Sequence, residues 1–196
     1  MIRRNIALIL IMCLLASVVG CGQKEEPAPQ KSTEMTYPTF TFTHFASGGS
    51  QEDLEAVILF EQSNSTFTAY QVAFVSCTCR DPMNNYYSVA YVEILNNQQN
   101  ADDASIRYIT FGGYKGLFGD GNAEVAEFSE EHVDEVFTSK LIGKTYAELE
   151  NWGGYGSILD GMDVDALTGV TVTTSNITSM LVSLVEYHAE KYYSGK

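Results

Sequence analysis

Two runs set the limits on what this chain can become. FTAYQVAFVSC (67–77) and YYSVAYVEIL (86–95) are rich in β-branched and aromatic residues and are separated by the turn-prone RDPMNN. They read as two strands of a hairpin. TFTFTHF (39–45) alternates apolar and polar residues, and its outward threonines suit an edge or half-buried strand. SIRYITF (105–111) is read as a further strand, whereas QEDLEAVILFEQ (51–62) fits either a strand or a short helix. The expected core is a sheet with antiparallel pairs.

Beyond the strands the texture changes. FGGYKGLFGDGN carries five glycines in twelve residues, so it reads as a loop whose backbone positions side chains would obstruct. Two short helices are expected next. One follows Ser129, a cap candidate, in SEEHVDEVFTSKL, and the other opens on Thr145, which has capping-box spacing to Glu148. NWGGYGS then returns to glycine and aromatics. The chain ends in a helix that places Ile177, Met180, Leu181, Leu184, Val185 and His188 on one face.

With 196 residues, 45% of them apolar, there is room for one domain with a real core. The N-terminus lies outside it. Arg3 and Arg4 precede an apolar run from Ile6 to Val19 that is too short for a membrane span, and small residues lead into Cys21. Val18-Val19-Gly20-Cys21 resembles the bacterial lipobox, in which the signal is cut before the cysteine and the thiol receives a diacylglycerol. On that resemblance residues 1–20 are a lipoprotein signal peptide and Cys21 is lipidated. Residues 21–38, polar and holding three of the four prolines, read as a tether, and 39–196 form the domain. The expected location is the outer face of a cell membrane.

Removing residues 1–20 takes away two arginines and no acid, leaving 9 basic and 25 acidic residues. Nucleic acid is excluded as a partner, because phosphate contacts need clustered Lys and Arg. His44, His132 and His188 are scattered without ligand spacing, so no metal site is expected, and His188 reads as a packed core histidine. Cys77 and Cys79 would point to one face of a strand. They read as a disulfide, as two buried thiols, or as a redox pair.

The chemistry concentrates in DALTGVTVTTSN (165–176). TGVTVTT is β-branched and is expected to be extended, turning into the helix with Thr173, Thr174 or Ser175 as its cap. Such a junction is a seat for phosphate, and Gly169 allows close backbone approach.

Asp165-Ala-Leu-Thr168-Gly169-Val170-Thr171 is similar to the Asp-x-x-Ser/Thr-Gly-Ala-Thr motif of the FMN-binding domain family. That family includes the C subunit of sodium-translocating NADH:quinone reductases, the G subunit of Rnf complexes and exported lipoproteins. Gly143-Lys144, Gly116-Leu117-Phe118-Gly119 and the apolar helix after Thr173-Thr174 extend the likeness over about the last 80 residues. Val170 departs from it, standing where the family carries alanine.

The resemblance implies an α+β fold, mainly antiparallel sheet with glycine-rich loops and a C-terminal helix after the Thr-rich motif. It implies FMN joined covalently to Thr171 through a phosphoester made by a flavin transferase. Thr168, Thr173 and Thr174 would hydrogen-bond the phosphate or cap the helix, and Asp165 would serve recognition or hold the turn. Tyr114, Phe118, Trp152 and Tyr155, in the two glycine-rich loops, would flank the flavin ring. The implied function is a membrane-anchored extracytoplasmic electron carrier, working between a membrane donor and acceptor, rather than a self-contained enzyme. The alternative is a flavin-free binding or assembly lipoprotein of the same fold.

Overall fold

The computed structural model describes residues 36–77, 86–112, 130–162 and 170–194. Five strands, β1 (Thr39–Phe45), β2 (Gln51–Ser63), β3 (Phe67–Cys77), β4 (Tyr86–Leu95) and β5 (Ile106–Phe111), form one sheet in the order β1-β2-β3-β4-β5. Every neighbour pair is antiparallel, so the sheet grows by successive returns of the chain. The 51–62 segment is therefore a strand. Its alternation is interrupted by a register shift between Ile58 and Phe60, which is why VILF reads as an unbroken apolar run.

A 3₁₀ turn (Ala101–Asp103) joins β4 to β5. Among the described residues four helices follow: α1 (Glu130–Val133), continued through a π turn (Asp134–Thr138) into α2 (Ser139–Leu141), then α3 (Tyr146–Glu150) and the long α4 (Thr171–Tyr193). The Thr145–Glu148 capping box is present. Glu148 N–H donates to Thr145 Oγ1 at 3.3 Å, and Thr145 N–H donates to Glu148 Oε2 at 2.9 Å. Ser129 lies outside the described residues.

One face of the sheet is covered by α4. Phe42, Ile58, Tyr70, Val72, Phe74, Val92 and Ile94 from the strands are buried together with Ile177, Met180, Leu181, Leu184 and Val185 from the helix. Tyr70 and His188 meet in this layer, with Tyr70 Oη 2.9 Å from His188 Nδ1. The opposite face stays wet, as cross-strand pairs such as Thr41 Oγ1 to Glu55 at 2.8 Å indicate. Among the described residues no helix is long and apolar enough to cross a membrane.

Candidate functional site

The N-terminal turns of α4 depart from the sequence expectation. The helix starts at Thr171, with Val170 as its cap residue, so Thr173, Thr174 and Ser175 are helical and no side chain among the described residues caps the end. Burial overrides the β-branched propensity here: Thr173, Ser175 and Asn176 are 2%, 2% and 0% exposed. The hydroxyls turn back onto the helix instead. Thr174 Oγ1 donates to the carbonyls of Val170 and Thr171, each at 3.2 Å, and Thr178 Oγ1 donates to Thr174 O at 2.8 Å.

The first intrahelical bond runs from Thr174 N–H to Val170 O at 3.0 Å. The N–H groups of Thr171, Val172 and Thr173 precede it, at the positive end of a 23-residue helix. Thr171 is half-buried, and its hydroxyl makes no hydrogen bond to another described residue. Val170 is 5% exposed and belongs to the core cluster, so its bulk lies in the protein interior.

The second glycine-rich loop is pinned onto this helix end. Gly156 N–H donates to Ser175 Oγ at 3.1 Å, and a Cβ at Gly156 would lie 3.8 Å from Thr171 Cγ2. Gly156 sits at φ +74, where a glycine is favoured. Trp152 Nε1 donates to Ser157 O at 3.0 Å, fixing the indole within the same loop.

Phe45, at the end of β1, collects the pieces. Its ring meets Trp152 edge-on at 5.9 Å and Tyr155 at 5.7 Å. Its backbone is held from the other side by Asn176, whose Oδ1 accepts from Phe45 N–H at 2.7 Å while Nδ2 donates to Phe45 O at 3.0 Å and to Ser76 O at 2.9 Å. Thr171, Trp152 and Tyr155 are thereby brought to one end of the domain. Beside Trp152 an open groove of about 380 Å³ runs between α3 and the loop, lined also by Lys144, Glu148, Asn151 and Leu159 among others. Lys144 Nζ stands 3.2 Å from Glu148 Oε1. The Glu148 carboxyl lies below its ordinary range, held there chiefly by the Thr145 N–H and further by Lys144.

Asp165, Thr168, Gly169, Tyr114, Phe118, Cys21 and Cys79 lie outside the described residues. Cys77 is buried at the end of β3 and is disulfide-bonded. His188 is fully buried against Tyr70 and Tyr192, and burial draws its pKa down to about 4. His44 is also fully buried, with Nδ1 3.4 Å from Glu52 Oε1; burial lowers its pKa against the pull of that carboxylate. Among the described residues no group of three His, Cys, Asp or Glu side chains is placed to hold a metal.

Asn176 and Phe45 carry no site expectation from the sequence, and Ser175, expected as a cap, instead accepts from the Gly156 N–H. The available signal was an asparagine at the head of the apolar helix stripe, a polar residue where burial demands partners. No family model, curated protein or solved structure matches the chain.

Proposed function

We propose that the domain carries FMN, joined through its phosphate to Thr171, as an extracytoplasmic electron carrier anchored by lipid at Cys21. The observation that carries this reading is the state of Thr171: on the first turn of a long helix whose cap residue is Val170, its hydroxyl has no hydrogen-bond partner and the helix end no capping side chain among the described residues. An ester phosphate there would face the N–H groups of that turn and the positive end of the helix dipole. The residues present fit such a group. Gly156 has no side chain to obstruct the approach to Thr171, and Trp152 and Tyr155 supply aromatic surface from the adjoining loop.

Val170, the departure from the family motif, does not weigh against the reading, because its side chain is buried in the core. The flavin would supply reversible one- and two-electron chemistry. The protein's own part is to retain the cofactor outside the cell, shield one side of it and present the other to partners. Two such partners, a membrane donor and an acceptor, follow from a carrier role, as does a transferase that loads the threonine.

The test is the intact mass of the chain from Gly22 to Lys196, produced with a flavin transferase and then denatured, beside a Thr171→Ala control. The expected result is an added mass of one FMN less one water that the control lacks. No adduct, under conditions that load a known acceptor domain, would transfer the case to a flavin-free binding protein.

A further inference from the structure

Three exposed apolar side chains stand together where the folded unit begins. Tyr37, Leu59 and Phe60 are 44%, 39% and 45% exposed. Thr39 pairs with Val57, and Ile58 N–H donates to Pro38 O at 2.9 Å, which brings Tyr37 level with Leu59 on the neighbouring strand. Leu59 is the extra residue of the β2 bulge between Ile58 and Phe60, and a bulge bends a strand and re-aims its side chains.

Glu61, next along β2, receives Lys191 Nζ at 2.7 Å and Tyr192 Oη at 2.6 Å, so its carboxylate is neutralised in place. This end of the domain can approach a lipid surface without presenting that charge.

We propose that Tyr37, Leu59 and Phe60 rest in the interfacial layer of a lipid bilayer and hold the domain against the membrane by one end. The proposal rests on the reading of Cys21 as lipid-anchored. Fifteen residues take the chain from Cys21 to Thr36, so Thr36 can lie no more than about 50 Å from the anchor. Such a tether raises the effective concentration of the patch at the lipid surface. Aromatic and leucine side chains suit the headgroup boundary. β1 runs from this patch to Phe45, so Trp152 and Thr171 would stand off the lipid by about 20 Å.

Trp152 is the single tryptophan, which gives a direct measurement. Wild-type protein and a Phe60→Trp variant are placed on phosphatidylcholine vesicles with brominated acyl chains. Each is prepared both as the full lipidated chain and as the chain from Gly22 held by an N-terminal hexahistidine on nickel-chelating lipid. The variant should lose most of its added emission in both forms while wild-type emission stays, and adding Leu59→Ser should reduce the quenching. Equal quenching of variant and wild type on the chelating lipid would overturn the proposal. Acyl-chain mass at Cys21 is measured separately, so a chain that lacks the lipid but is quenched on the chelating vesicles keeps the patch and drops only the anchor.

Discussion

The side-chain amide of Asn176 hydrogen-bonds both the N–H and the C=O of Phe45, 131 residues earlier in the chain. It does for the outer edge of β1 what another strand's peptide group would do, and a further bond to Ser76 O reaches β3. All of this lies in a fully buried side chain. Asn176→Ala would leave the Phe45 N–H and two carbonyls without these bonds. We expect a loss of about 3 kcal/mol in urea unfolding. A loss below about 1 kcal/mol would mean that water or a shift of β1 replaces the amide.

Thr171 offers the opposite case. Its hydroxyl bonds to no other described residue, so Thr171→Ala should change unfolding by less than about 0.5 kcal/mol while abolishing the flavin adduct. Thr171→Ser should keep the adduct. An unfolded alanine variant would show that the hydroxyl has a structural role and would remove the clean separation of loading from folding.

Acid should weaken the domain in a window set by its histidines. His188 has its pKa drawn down by burial to about 4, and His44 moves in the same direction. The unfolded chain takes up protons at both near pH 6.5, whereas the folded chain does so only at lower pH. Their neutral state therefore contributes fully above about pH 6.5, and stability falls as pH drops towards 4, by roughly 3 kcal/mol for His188. Glu61 extends the loss to lower pH. Despite opposing burial, hydrogen bonds from Lys191 and Tyr192 hold its carboxyl below the ordinary value, a contribution lost when it protonates. Urea midpoints measured across this range should slope downward, and His188→Gln should flatten the upper part. Equal slopes for the two proteins would assign the effect elsewhere.

Gly49 controls the fit of the β1–β2 turn against the aromatic loop. It sits at φ +81, and a Cβ there would lie 2.9 Å from Tyr155 Cδ1. Gly49→Ala combines an unfavourable backbone conformation, of about 1 kcal/mol, with displacement of that ring. We expect lower stability and a changed near-ultraviolet circular dichroism from the Phe45–Trp152–Tyr155 cluster. An unaltered spectrum would place Tyr155 outside the cluster's tight packing.

Much of this architecture was legible in the residues. TFTFTHF, the 67–77 and 86–95 runs and SIRYITF are strands because period-two alternation and β-branched composition agree there. Thr145 and Glu148 announced a helix start by local chemistry alone. β2 was ambiguous because its bulge joins apolar residues from both sides of the register shift into one run. The start of α4 was misplaced for a different reason. Its threonines favour extended backbone locally, but the buried contacts of Asn176 and the hydroxyl bonds to preceding carbonyls are tertiary or depend on the helix already being formed. The joining of Trp152, Tyr155 and Thr171 was hidden likewise, since it passes through Phe45 and Gly156 rather than through any spacing in the motif.

The strictly sequential strand order has a consequence for how the protein is made. Each hairpin can close as soon as its second strand emerges, at small entropic cost, yet the helix that covers the sheet follows all five strands. During synthesis the sheet must therefore wait with Phe42, Tyr70 and Phe74 uncovered. The threonine that would accept flavin takes its place only when α4 docks. A loading enzyme that reads the folded shape of this end of the domain would thus act only once α4 has docked, so completion of folding would itself be the checkpoint for maturation.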